Sequence, residues 1–121
     1  MGLFDLTDLV VQRAMQGASL EQQVLSNNLS NANTPGFKRA DVNFESALAS
    51  AVSSSDPHAA LDDVSFAPQT DSATAMTADG NNVDLEREMS GLTQNAVEYQ
   101  TLSSIEHTRL GMLQSAIGSG S

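Results

Sequence analysis

The sequence contains no cysteine and no tryptophan, and only one tyrosine occurs among its 121 residues. Without cysteine the chain can form neither disulfides nor thiolate metal sites. Aromatic residues make up 4% of the composition, so the side chains that usually supply most of the buried area are scarce. We therefore expect the apolar residues to lie in stripes along helices rather than in one large core.

Basic residues are also scarce, because five Lys and Arg stand against 15 Asp and Glu and give a net charge of −10. This imbalance argues against nucleic acid and anionic membranes as partners, since both require clusters of positive charge. The first residues, MGLFDLTDL, lack the basic segment and the apolar run of a cleaved signal peptide. No stretch of the sequence is long and apolar enough to cross a bilayer.

No set of residues predicts catalysis, a cofactor or a small-molecule substrate. The two histidines, His58 and His107, lie in unrelated contexts, and the sequence has no glycine-rich phosphate loop. The run DGNNVDLE fails the spacing of an EF-hand, because Val83 falls at a ligand position and Ser90 at the twelfth. We predict a protein that is not an enzyme and that holds no metal or cofactor.

Residues 5–32 have apolar side chains at helical spacing and predict a long amphipathic helix. Gly17 is its weakest position, at a cost of about 1 kcal/mol relative to alanine. The stripe that we expect to pack against another helix includes Leu6, Val10, Val24 and Leu25.

The end of this helix is marked by the segment TPGF. Thr34 precedes Pro35 and is therefore disfavoured from the α region. Proline followed by glycine is typical of a type II turn, so we expect a positive φ at Gly36. Phe37 then supplies an apolar anchor for the chain that follows.

The asparagines that precede the turn leave two interpretations open. In the first, they form an ordinary helix C-terminus that Asn33 closes in the left-handed conformation. In the second, Asn28 and Asn31 share one face of the last turns and bind the backbone of a neighbouring subunit, which would specify register.

Residues 37–82 are rich in Ser, Ala, Asp and Thr, and we expect an irregular, partly flexible segment with a short helix near residues 45–52. A second long helix is predicted over 83–121, with Asn82 or Asp84 as its N-cap. Its apolar residues alternate at spacings of four and three, which indicates a heptad seam. After an interruption the stripe resumes, so that the predicted seam of this helix consists of Leu85, Met89, Leu92, Ala96, Tyr99, Leu110, Leu113 and Ile117.

The predicted fold is therefore all-α, with long N- and C-terminal helices that pair as a coiled-coil-like domain. It divides into residues 1–36, the helix and the Pro-Gly turn; 37–82, the irregular middle; and 83–121, the second helix. Because the polar middle offers little apolar surface, we expect each long helix to need the other or a neighbouring copy.

The motif SNANTPGF resembles the A-N-x-x-T-P-G-[FY] motif of flagellar rod and hook proteins, with Ser30 in place of the usual alanine. The runs KRADVNFESAL and MTADGNNVDLEREMSGLTQNAVEYQ resemble one branch of that family, the basal-body proteins of the proximal rod, the FlgB type. Many members of this branch carry a basic residue where this chain has Glu21.

This resemblance implies a structural subunit of the rod, which transmits torque and lines the export channel. The implied partners are copies of itself, other rod proteins, the adaptor between membrane ring and rod, and the export gate. The implied location is the periplasmic part of the basal body, reached by export without a cleaved signal peptide. The alternatives are another rod or hook subunit, or a soluble coiled-coil adaptor or secretion chaperone, which would form a discrete dimer.

Overall fold

The computed structural model describes residues 3–119, with side chains from 6 to 118. The elements follow in the order α1 (Leu3–Ser30), β1 (Ala40–Asp41), α2 (Phe44–Val52), α3 (Pro57–Asp63), β2 (Gln69–Thr70) and α4 (Leu85–Ser119). The fold is predominantly α-helical, as the sequence predicts. The outermost residues of the two predicted terminal regions, 1–2 and 120–121, lie outside the described part.

The two long helices pack together in antiparallel orientation. At one end Asn28 of α1 contacts Glu88 of α4, and toward the other end Asp8 lies 3.8 Å from Arg109. At 1.5 Å per residue, α1 is about 42 Å long and α4 about 52 Å. The predicted pairing of the terminal helices is therefore confirmed. Over the described residues, neither helix has an apolar run sufficient for a bilayer span.

The middle of the chain is more regular than its composition suggests. The short helix expected near residues 45–52 is present as α2, whereas α3 was not expected. Asn43 caps α2 by accepting from Ser46 N at 3.2 Å, and Asp56 caps α3 by accepting from Ala59 N at 3.2 Å. These caps, with Pro57 at the start of α3, begin helices in a segment that otherwise has the composition of a linker.

The apolar core lies between α1 and this middle segment. Phe44 and Leu48 of α2 and Leu61 of α3 are buried against the small residues Ala14 and Ala18 of α1. The ring of Phe44 also meets that of Phe66 edge to face, with centroids 6.1 Å apart. The expectation that the middle could not bury the stripe of a long helix is wrong, because small residues on α1 let α2 approach closely.

The stripe that α4 turns toward α1 is different from the heptad seam. The less exposed positions Glu88, Asn95 and Glu98 each come one residue before a seam residue, and one residue corresponds to a rotation of about 100°. On α1, Val24 and Leu25 are buried while Leu6 and Val10 are half-buried. On α4, Leu92 is half-buried, but the rest of the seam is exposed: Leu85, Met89, Ala96, Tyr99, Leu110, Leu113 and Ile117.

The seam of α4 therefore does not hold the two long helices together within one chain. The side chains of α4 that face α1 are mostly polar, and most of the apolar seam residues remain uncovered. That the seam packs against a neighbouring copy stays a prediction.

Two of the helical glycines, Gly17 and Gly111, allow a test of the core packing. A Cβ at Gly17 would lie 2.5 Å from Cγ of Phe44, whereas a Cβ at Gly111 would meet nothing within 4 Å. Alanine raises helix propensity by about 1 kcal/mol at either site. At Gly17 overpacking costs about 1–3 kcal/mol and offsets this gain.

We therefore expect Gly111→Ala to stabilise the protein and Gly17→Ala to be neutral or destabilising. Urea unfolding monitored by far-UV circular dichroism measures both variants. Equal stabilisation by the two substitutions would show that α2 does not pack on α1 at Gly17.

Candidate functional site

The turn that follows α1 has the geometry expected from its sequence. Phe37 N donates to Thr34 O at 3.2 Å, and Gly36 has a φ of +75°. These are features of a type II turn, so the positive φ predicted at Gly36 is confirmed. No non-glycine residue in the described range has a positive φ. The interpretation in which Asn33 closes the helix in the left-handed conformation is therefore wrong; Asn33 is exposed.

A second glycine turn packs against the first. Gly80 has a φ of +82°, and a Cβ placed on it would lie 3.5 Å from the Cα of Gly36. Gly36 N donates to Asp79 O at 2.8 Å, which joins the two turns by a backbone hydrogen bond. The motifs TPGF and DGNN, which are more than 40 residues apart in sequence, thus form a single corner of the fold.

Two asparagines of the second turn bind the backbone of the first turn and of the segments beside it. The Nδ2 of Asn81 donates to the carbonyl oxygens of Asn31 and Thr34, both at 2.8 Å. The Oδ1 of Asn82 accepts from Arg39 N at 2.7 Å, and its Nδ2 donates to Asp71 O at 2.8 Å. Both asparagines are buried, so these bonds satisfy backbone groups that water cannot reach.

The N-cap contacts of α4 come from Asp84. Its Oδ1 accepts from Glu86 N at 3.0 Å and from Arg87 N at 3.4 Å. Asn82, the alternative cap, is instead occupied with Arg39 and Asp71.

Asn28 fixes the end of α1 to the first strand. It is fully buried, its Oδ1 accepts from Ala40 N at 3.0 Å, and its Nδ2 donates to Ala40 O at 2.9 Å and to Glu88 Oε2 at 3.1 Å. The backbone that Asn28 binds therefore belongs to its own chain. Asn31 donates to Asn27 O at 2.8 Å within the helix. That Asn31 faces a neighbouring subunit stays a prediction.

A buried ion network lies beneath these turns. Arg39 is 1% exposed and Glu88 is 0% exposed, and Arg39 Nε donates to Glu88 Oε1 at 2.5 Å. The guanidinium also contacts Asp71 at 2.9 Å and Asp41 at 2.7 Å. Burial disfavours the charged guanidinium, but hydrogen bonds to these three carboxylates outweigh it and raise the pKa of Arg39 above its usual value.

Asp71 links this network to the segment that leads into the second turn. Its carboxylate accepts from the hydroxyl and the backbone N–H of Thr74, and these bonds together with Arg39 hold its pKa below the usual range. Asp71 N also donates to Arg39 O at 2.8 Å, next to the pairing of β1 with β2. The corner is thus built from four separate segments of the chain.

We call the set Asn28, Arg39, Asp71, Asn81, Asn82 and Glu88 the polar corner. The sequence motifs include Asn28 and Asn82 but do not indicate the central pair, Arg39 and Glu88. A signal was available, since Lys38 and Arg39 are the only Lys or Arg residues between Arg13 and Arg87. The groups of the polar corner bind one another, so its role is to fix geometry.

A second charged cluster, which we call the acidic cluster, contains three carboxylates that repel one another. The carboxylates of Glu21, Glu45 and Glu98, from α1, α2 and α4, lie within 4.8 Å of one another, and no other group of three acids or histidines in the described part is this compact. Burial and then repulsion by Glu45, Glu98 and Asp41 raise the pKa of Glu21 to about 7. Burial and Glu45 also raise the pKa of Glu98. The cluster therefore opposes the packing of the three helices at neutral pH.

The buried pair in the polar corner predicts a strongly non-additive response to mutation. Arg39→Met leaves Glu88 buried without its cation, which costs about 3–5 kcal/mol. In the double variant Arg39→Met with Glu88→Leu no unpaired charge is left at Glu88, so we expect a smaller loss of stability than in Arg39→Met alone. The matched control is Arg87→Met, because Arg87 is exposed and lies 3.8 Å from the same Asp71; we expect a change within about 0.5 kcal/mol.

Urea unfolding of the unmodified protein, of Arg39→Met, of Glu88→Leu and of the double variant measures this double-mutant cycle. Additive effects of Arg39→Met and Glu88→Leu would contradict a direct buried pair.

The acidic cluster predicts that stability changes between pH 4.5 and 8. Since the pKa of Glu21 is raised in the folded state, folding is favoured by its protonation, and this contribution is lost as pH rises from about 4.5 through about 7. Glu21→Gln should therefore raise the melting temperature at pH 8 and change it little at pH 4.5. Glu86→Gln, at an exposed position in the first turn of α4, is the control and should lack this pH-dependent gain. Equal melting curves for Glu21→Gln and the unmodified protein at pH 8 would refute the repulsion.

Comparison with known proteins identifies the family of this chain. Residues 9–38, which end at the first turn, match the family described as flagella basal body rod protein. The chain is 34% identical to the flagellar basal body rod protein FlgB of Aeromonas hydrophila over 94% of both chains. It is 29% identical to FlgB of Bacillus subtilis (strain 168) over 99% of both chains, and 29% identical to FlgB of Escherichia coli (strain K12) over 84% of this chain and 86% of that one. The chain belongs to the FlgB family of flagellar basal body rod proteins.

Proposed function

We propose that this chain is a structural subunit of the proximal flagellar rod, which binds copies of itself and other rod proteins and transmits motor torque. The observation that carries the proposal is the uncovered seam of α4. One chain pairs its two long helices through a mostly polar stripe, and the apolar residues one position further round are exposed, among them Met89, Leu110, Leu113 and Ile117. An apolar helical stripe of this length is typical of a surface that another subunit covers.

The polar corner supports a mechanical role. Torque transmission requires that the angle between successive segments of a subunit stays fixed under load. Buried hydrogen bonds and ion pairs are directional, so a corner held by them resists rotation and sliding better than an apolar contact of the same area. In this proposal the corner fixes the direction in which the middle segment leaves the pair of long helices.

The remaining parts of the proposal concern location and export. We propose that the subunit lies in the periplasmic part of the basal body, where it meets the adaptor between membrane ring and rod, and the export gate. The long helices would line the export channel. The absence of cysteine suits a chain that is exported unfolded without a cleaved signal peptide, because no disulfide can form before or after transit.

The proposal is tested on purified hook–basal bodies. Mass spectrometry should detect the chain in the rod fraction, and deletion of its gene should abolish rod and filament together. A normally swimming deletion strain and a chain that is absent from basal bodies would refute the proposal. A discrete soluble dimer would then favour the alternative of a coiled-coil adaptor.

The turn provides a residue-level prediction in the same strain. Gly36→Val should reduce motility and rod assembly, because a β-branched residue at a φ of +75° is strained by about 1–3 kcal/mol. Gly36→Asn is the matched control, since asparagine tolerates the left-handed region and nothing lies within 4 Å of a Cβ at this site. Equal swimming of both variants would show that the conformation of the turn is not required for assembly.

A further inference from the structure

An uncharged groove runs between α1 and α4 on the side of the exposed seam. It has a volume of about 380 Å³ and is lined by Ser19 and Gln23 of α1 and by Asn95, Ala96 and Tyr99 of α4, among other residues. A second depression of similar volume adjoins it along α1 and shares Ser19, Gln23 and Tyr99 as walls. None of the residues that line either depression is charged. The groove thus differs from the surface of a chain that carries a net charge of −10.

Asn95, one of the lining residues, carries an unsatisfied hydrogen-bond acceptor. Its side chain is almost completely buried, at 3% exposure, and its Nδ2 donates to Ala18 O at 2.8 Å and to Gln22 Oε1 at 2.9 Å. Its Oδ1 is buried and accepts no hydrogen bond from any described residue. A buried acceptor without a donor is costly, so the contact between α1 and α4 at the floor of the groove is not fully satisfied within the chain.

The C-terminal part of α4 in a second copy has the chemistry that suits this groove. From Leu110 to Ser119 the helix has no charged residue, and Leu110, Leu113 and Ile117 are exposed at 49%, 45% and 75%. Gln114 and Ser115 lie in the same turns and carry donors and acceptors that suit the uncharged polar residues Ser19, Gln23 and Gln100 of the groove. Two copies with a net charge of −10 each repel one another over most of their surfaces, so contact is favoured where both faces are uncharged.

The same part of α4 projects beyond its pairing with α1. Over the described residues, α4 continues for ten residues after Arg109, whereas α1 extends only five residues before Asp8, the partner of Arg109. At 1.5 Å per residue the difference of five residues is about 7.5 Å. The projecting turns are therefore accessible to another molecule.

We propose that the groove between α1 and α4 receives the C-terminal turns of α4 from a second copy of this chain. The contact joins two different surfaces, so each copy offers a free groove at one side and a free helix end at the other. Contacts of this heterologous kind generate rings or helical arrays rather than closed two-fold dimers. The inference rests on the proposed function, because it names the partner surface through which copies of the subunit meet in the rod.

Cysteine pairs test the contact, since the unmodified chain has no cysteine to give background. Two variants of the chain, one with Ser19→Cys and the other with Leu113→Cys, are expressed in the same cells. Basal bodies purified from these cells are treated with a short bismaleimide. We expect a covalent dimer that contains one copy of each variant. Ser65→Cys with Leu113→Cys is the matched control, because Ser65 is exposed on the segment between α3 and β2, and its dimer yield should be several-fold lower.

The outcomes separate this inference from the proposed function. Rods that contain both variants but yield no Ser19–Leu113 dimer above the control would overturn the inference and leave the rod assignment intact. Dimers formed only between two Leu113→Cys chains would show that the seams pair with each other, and would also overturn it.

A photoreactive residue at Gln100, on the rim of the groove, should attach to a peptide from residues 110–119 of this chain; attachment to another rod protein would assign the groove to that protein instead. Failure of the unmodified chain to enter basal bodies would refute the proposed function itself.

Discussion

The fold depends on the burial of one guanidinium group. Arg39 is in contact with carboxylates from β1, from the segment after β2 and from α4, so three parts of the chain are held at a single point. A buried charge is stable only when its partners are complete. For this reason the two glycine turns, the asparagine bridges and the first turn of α4 must adopt their positions together. A chain with few large apolar residues thereby obtains a defined corner without a large core.

The orientation of α4 follows from this corner. Glu88 must face inward to meet Arg39 and Asn28, and the helix period then turns Asn95, Glu98 and Arg109 toward α1 as well. The heptad seam is rotated away by about one residue and remains exposed. The polar corner therefore determines which face of α4 is available for assembly, although it lies at the opposite end of the helix from the projecting turns.

The acidic cluster gives this arrangement a limited stability. Glu21, Glu45 and Glu98 repel one another where α1, α2 and α4 meet, whereas Arg39 attracts its carboxylates where the chain turns. The corner is thus the firm part of the subunit, and the helix pair beside it is held more weakly. In the proposed assembly neighbouring copies cover the long helices, so the isolated subunit would need little stability along their length.

The sequence alone determined the secondary structure of the terminal regions, the turn at Gly36 and the helical class of the fold. These features depend on local chemistry: the apolar period of a helix, the fixed φ of Pro35 and the freedom of glycine at positive φ. Only the tertiary structure decided which stripe of α4 faces α1, how the polar middle packs on α1, and which asparagines bind which backbone. The heptad pattern favoured the apolar face, but a buried partner for Arg39, contributed from 49 residues away, requires Glu88 to face inward. Pairing between distant charges has no period along the chain. The isolation of Lys38 and Arg39 among acidic residues marks the cation, but no local pattern identifies Glu88 as its partner.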